Sequence, residues 1–203
     1  MQAIESQTLI LYHTDLRGEW PEQAARALAA RFAYARRLTL EGTSDAAHAS
    51  LAGLALALRA LSDLLGEAVT PGDLELPQGG KPRLDANFTA RTGTAVDFSI
   101  AHSGPYAGCA LASGARVGFD LEYGTDRRLA EWVAREAAVK AAGLGIRALP
   151  GVGLEPGAAR LAGERWHART PPGFEGAVAC LMTSRPCAQL DVRSIALADL
   201  FAP

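Results

Sequence analysis

The spacing of apolar residues changes period several times along this chain, and each change predicts an element. "TLILYH" (8–13) is apolar on both faces, as in a strand covered on both sides. "WPEQAARALAARFAYARRL" (20–38) has helical spacing, and Pro21 suits the first turn, where its missing N–H costs nothing. Residues 43–66 form the clearest helix. Leu51, Leu54, Leu58, Leu61 and Leu65 recur at steps of three and four and make one apolar stripe. Ser44 or Asp45 caps its start and Gly66 ends it. Residues 70–95 are rich in turn formers, and a loop of that length in a compact domain is commonly functional.

Three short strands follow: "VDFSIAH" (96–102), "YAGCALA" (106–112) and "RVGFDLE" (116–122). "SGP" and "SGA" separate them, which predicts an antiparallel meander. A helix runs from about Asp126 to Ala142 and stops at Gly143. Its Trp132 and Ala137 predict close packing on an apolar side. Strands near 164–170, 176–184 and 188–197 complete the chain. Helices beside a mostly antiparallel sheet make the class α+β, with no low-complexity segment and no sharp linker.

A chain of 203 residues suits one large domain or two small halves packed as one. The formal charge of −2 and pI near 6.1 argue against a general nucleic-acid binder, which needs a basic surface. A local basic pocket for a small phosphorylated ligand is still compatible with that charge. Cys109, Cys180 and Cys187 have no CxxC spacing. Cys109 and Cys180 lie in apolar runs and read as buried free thiols of a reducing cytoplasm. "MQAIESQTLILYHTD" has no basic n-region and only a short apolar run, so it does not read as a signal peptide. "LAGLALALRALSDLL" is interrupted by Arg59 and Asp63 and does not read as a membrane span.

The candidate chemistry lies in four stretches. Asp120 and Glu122 stand at i and i+2 of a strand, so their carboxylates project to one side. Two such charges repel unless a cation lies between them, and a hard ion such as Mg²⁺ suits oxygen ligands. Taken alone, the pair reads better as a solvated strand end, and a third carboxylate is needed to sharpen it. Glu136 is that candidate, with Lys140 one turn later, although i,i+4 Glu–Lys pairs are common on helix surfaces. "QGGKPRL" (78–84) offers a Gly-Gly turn and Lys81 for a phosphate, or only an exposed turn. "FSIAHSGPY" places His102 and Ser103 at a strand end, where both can donate to a phosphate. Sequence neighbours with no G-x-S-x-G elbow do not make a hydrolase triad. His13, His48 and His167 have no metal-ligand spacing and read as structural.

In order along the chain these stretches resemble a 4′-phosphopantetheinyl transferase of the surfactin-synthetase-activating type. "GGKPRL" is similar to that family's GKP loop, "DFSIAHSG" to its F-N-x-S-H-S strand end and "VGFDLE" to its G-x-D-x-E strand. "WVAREAAVKAAGLGI" resembles its W-x-x-K-E-x-x-x-K helix, "SDAAHASLAGLALALRALSDLLG" its preceding helix and "FEGAVACLMT" its closing strand.

The resemblance implies two similar α+β halves about a pseudo-twofold axis, residues 1–112 on the nucleotide side and 113–203 on the metal side. It implies a monomer that moves phosphopantetheine from coenzyme A to a serine of an acyl or peptidyl carrier protein, releasing 3′,5′-adenosine diphosphate. Asp120, Glu122 and Glu136 would hold Mg²⁺. Glu136 and Lys140 would be catalytic. Arg59, Lys81, Pro82, His102 and Ser103 would contact coenzyme A. A coenzyme A- or carrier-binding protein without transfer, or a Mg²⁺-dependent phosphate-ester hydrolase, would use the same residues.

The chain also departs from the pattern. Only nine residues, "YGTDRRLAE", separate Glu122 from Trp132, where such relatives carry a longer insertion flanking the carrier cleft. Arg135 replaces a lysine, Ala101 a serine and Ala49 a basic residue.

Overall fold

The computed structural model describes residues 8–40, 44–93 and 95–201. The leader-peptide reading therefore rests in part on residues outside the described ones. The elements run β1 (Leu9–Asp15), α1 (Glu22–Ala29), α2 (Tyr34–Leu40), α3 (Asp45–Leu65), β2 (Leu74–Glu75), β3 (Arg83–Leu84), α4 (Ala86–Thr92), β4 (Val96–Ser103), β5 (Tyr106–Ser113) and β6 (Val117–Tyr123). They continue with α5 (Arg127–Ala142), β7 (Gly153–Glu155), β8 (Ala158–Leu161), β9 (Glu164–Arg169), β10 (Ala177–Thr183), β11 (Asp191–Ser194) and α6 (Leu197–Leu200). The protein is mixed α+β.

Two sheets lie between α3 and α5, in the strand orders β11-β1-β5-β4 and β6-β10-β9-β8-β7. The alternation of side chains on β1 explains the layering. Ile10 and Tyr12 join a core with α3, while Leu9 and Leu11 join Val117, Phe119, Leu121 and Leu181 of the second sheet. On the far side of that sheet Val133, Ala137 and Ala141 of α5 meet Trp166, Cys180 and Met182. Each sheet contains one connection pattern. A first strand leads to a long helix and later to two antiparallel strands, the last of which pairs with the first. This is β1–α3–β4–β5 in one sheet and β6–α5–β9–β10 in the other.

Several elements differ from their sequence expectation. The helix expected over 20–38 is two helices, because the chain tightens between Leu28 and Phe32 and drives Phe32 into the core. The helix α3 is capped by Ser44 and ended by Gly66 in the left-handed conformation. It is buried on more than its leucine stripe, since Ala52, Ala55, Ala57 and Ala60 are covered as well. It is also the one described helix long and apolar enough to cross a bilayer, and 61% of its most apolar window is buried in this core.

The 70–95 stretch contains a short hairpin, β2 with β3, and the Asp85-capped helix α4. The expected meander does not form. Strand β5 uses both edges, on β1 and β4, so β6 finds no partner there and opens the second sheet against β10. Strand β11 returns to pair in parallel with β1, and Leu197, Leu200 and Phe201 join the first core. A cut at 112/113 would thus separate β11 and α6 from the sheet they complete. Trp132 is 43% exposed, contrary to the packing expected of it, whereas Ala137 is fully buried.

The two sheets meet at β4 and β6 through side chains. The Val117 N–H donates to Asp97 Oδ2 (2.7 Å), the Phe119 N–H to Ser99 Oγ (3.0 Å) and the Tyr123 N–H to Ser103 Oγ (3.0 Å). Each rung joins residues 20 apart. The 101–121 rung is missing, because Ala101 has no hydroxyl. The flanking bonds Gly124 N to Gly176 O and Ser184 N to Arg116 O fix even-numbered residues of β6 as the ones that face β10. The Leu121 N–H therefore points at Ala101. A serine hydroxyl at 101 would face that N–H as Ser99 and Ser103 face theirs, so Ala101→Ser is expected to raise unfolding free energy by about 1 kcal/mol in urea titration.

Gly118 sets the distance between α5 and β6. A methyl group there would overlap the Ala137 carbonyl and the Ala141 amide of the helix backbone. Backbone cannot step aside as a flexible side chain does. Gly118→Ala is expected to cost about 3 kcal/mol or more, the upper range for overpacking; a urea midpoint equal to the parent's would disprove the contact.

Candidate active site

The close approach at Gly118 places the outer face of β6 under α5. Gly118, Asp120 and Glu122 share that face by strand alternation. Helix α5 starts at its Asp126 cap and presents Glu136 and Lys140 to it. Asp120 is consequently 4% exposed, which excludes the solvated strand end that its position allowed. Its Oδ1 accepts from Lys140 Nζ at 2.6 Å, and its Oδ2 has no partner. Burial pushes the Asp120 carboxyl up to about 7. The Lys140 charge opposes the rise, and the neighbouring Glu136 and Glu122 add to it. Lys140 Nζ also lies 3.8 Å from Glu136 Oε1, so one ammonium serves two carboxylates.

These groups line a cleft of about 330 Å³ at the β4–β6 seam. Pro82, His102, Asp120, Glu122, Glu136 and Lys140, all singled out in the sequence, share its wall. His102 comes from the α3 side of β4, where its Nε2 is 3.2 Å from Ser50 Oγ. A second cavity of about 260 Å³ shares Pro82, Ile100, Glu136 and Lys140 with the first and adds Lys81 and the Gly79–Gly80 turn. Lys81 is already engaged by Asp97 and by the Val117 carbonyl at 2.7 Å. Burial pulls its ammonium below the usual lysine value, against the pull of Asp97. In this state it fastens the GKP turn to the seam.

Two sequence candidates, Arg59 and Ser103, do not line this cleft. Arg59 pairs with Asp63 at 3.1 Å and borders a separate apolar groove of about 1010 Å³ with Leu58 and Phe201. Ser103 is on the opposite face of β4 from His102 and donates to Glu122 Oε2 at 2.7 Å. Conversely, Arg36 and Ser50 line the cleft and had no assigned role. Arg36 was visible only as one of two arginines in "YARRL". Ser50 is 52 residues from His102 and gave no signal at all. Cys109 and Cys180 are buried free thiols, as expected, and burial pushes the Cys180 thiol up to about 12.

Among the described residues no three of His, Cys, Asp or Glu form a ready-made ion-binding group. The donor set nonetheless suits a hard divalent cation, because three carboxylates converge on one cleft and a buried oxygen of Asp120 is orphaned. The lysine ammonium held among them is the protein's own cation at that place. No protein-family model matches the chain, and no curated protein matches it.

A raised carboxyl pKa has a definite consequence for stability. The folded state resists ionising Asp120, so its contribution is complete below about pH 4 and is lost as pH rises through about 7. In urea titrations with a chelator between pH 5 and 8, the parent is expected to lose stability and Asp120→Asn to lack that component. Parallel curves would show that Asp120 is not the titrating group.

Proposed function

We propose that this protein is a Mg²⁺-dependent 4′-phosphopantetheinyl transferase of narrow carrier range, with coenzyme A bound at the seam between its sheets. The observation that carries the reading is the convergence of Asp120, Glu122, Glu136 and Lys140 with His102 and Pro82 on one cleft. These residues come from four separate segments. The repeated strand–helix–strand–strand connection in the two sheets supports a fold of two similar halves about a pseudo-twofold axis.

Asp120, Glu122 and Glu136 would hold Mg²⁺, which supplies charge neutralisation for a pyrophosphate as its bridging P–O bond breaks. His102 and Arg36, on the α3 side of the cleft, receive the nucleotide phosphates. Pro82, which lines both cavities, would contact the nucleotide end of coenzyme A with His102. Glu136 accepts the proton of the carrier serine, whose oxygen attacks the phosphorus that bears pantetheine. The bond from that phosphorus to the adenosine-diphosphate oxygen breaks, and its electron pair leaves with that oxygen. Lys140, between Asp120 and Glu136, offers charge or a proton to the leaving phosphate. One ammonium shared by two acids is poised for that exchange.

A second reading is coenzyme A binding without transfer. The short link favours it, since α5 begins at Arg127, only a few residues after β6, and leaves no insertion to flank a carrier cleft.

Incubation with coenzyme A, Mg²⁺ and a panel of apo carrier proteins is expected to add phosphopantetheine mass to a carrier. Glu136→Gln is expected to slow the reaction by about a hundredfold or more. Coenzyme A binding with no mass gain on any carrier supports the second reading. Release of 3′,5′-adenosine diphosphate without a carrier identifies a hydrolase.

A further inference from the structure

We infer that Ser103 is a positioning residue that couples the seam between the sheets to the orientation of Glu122, and not a phosphate ligand. The inference rests on the metal-site reading of Glu122 given above. Ser103 is the last residue of β4, and its side chain points to β6, where it reaches Glu122 of the cleft wall without lining the cleft itself. Its hydroxyl makes two directed bonds. It accepts from the Tyr123 N–H at 3.0 Å and donates to Glu122 Oε2 at 2.7 Å. A hydroxyl has a single proton, so giving it to Glu122 leaves the lone pairs for the peptide. The peptide bond fixes the oxygen on the seam ladder, and the fixed oxygen then fixes the carboxylate.

The comparison with the other two acids is informative. Asp120 and Glu136 share the Lys140 ammonium. No ion pair with Glu122 appears among the described residues, and its oriented partner is this neutral hydroxyl. Such a hydroxyl holds a carboxylate in place without competing with a cation for its charge. Groups of this kind behind metal ligands set affinity by fixing ligand orientation. The same rung ties that orientation to the contact between the two sheets, so loosening the seam at this end loosens one acid of the cleft.

The test uses the full-length protein in two measurements. In metal-free protein, side-chain coupling constants by NMR are expected to show one χ1 rotamer for Glu122 in the parent and in Ser103→Thr, and rotamer averaging in Ser103→Ala. A single unchanged rotamer in Ser103→Ala overturns the inference. This holds whether or not the protein transfers phosphopantetheine, so failure of the functional reading is separately visible in the carrier assay. In calorimetric titration with Mg²⁺ alone, Ser103→Ala is expected to bind about tenfold more weakly. Its effect is expected to vanish when Glu122 is already Gln. Full additivity of the two substitutions would mean that Ser103 acts elsewhere and would overturn the coupling.

Discussion

The contact between α5 and β6 at Gly118 governs most of what is distinctive in this protein. Helix and strand backbones touch there, with no room for a single methyl group. That contact buries Asp120 beneath the helix, brings Lys140 within 2.6 Å of it, and sets Glu136 over the same cleft. A helix held further off by an ordinary residue would leave the strand's acids to water and its own glutamate and lysine as a surface pair. The chemical character of the site is therefore a packing consequence before it is an electrostatic one.

The seam between the sheets is the second constraint. Strand β5 has both edges filled, so β6 leaves that sheet, and the two sheets meet through side-chain hydroxyls and one carboxylate instead of a backbone ladder. Side-chain rungs are local and can be omitted one at a time, as at Ala101. They also leave room, and the cleft lies where the rungs thin out, with Ala101 and Leu121 in its wall. Lys81 and Asp97 fasten one stretch of the seam and Ser103 with Glu122 the other. The same residues that hold the halves together thus surround the chemistry.

Electrostatics in the cleft follow from burial of unequal numbers of charges. Three carboxylates line the wall against one lysine, while Arg36 and His102 stand on the opposite, α3 side. Asp120 is the most affected: burial raises its pKa, with a smaller push from Glu136 and Glu122, and one of its oxygens is orphaned. Under the proposed function, such a cleft would take Mg²⁺ together with an anionic pyrophosphate.

Several local signals were legible along the chain. The Ser44 cap, the Gly66 and Gly143 stops, the two-faced strand β1 and the helix over 127–142 all follow from short-range chemistry. Asp120 and Glu122 were legible as one face of a strand, and Glu136 with Lys140 as one face of a helix. Pairing was not legible, because it depends on which strand edges remain open after others have paired. No local pattern could send β6 to β10 or bring β11 back beside β1. Nor could residue type say that Asp120 is buried, that Trp132 is exposed, that Arg59 faces another groove, or that Ser103 holds Glu122. Those outcomes depend on contacts between residues far apart in sequence, such as the methyl-sized gap at Gly118. The sequence by itself determined the main strands, the two long helices and the kinds of chemistry they carry. Only the tertiary structure decided which of those groups meet, because a side chain's partners are set by how whole faces pack.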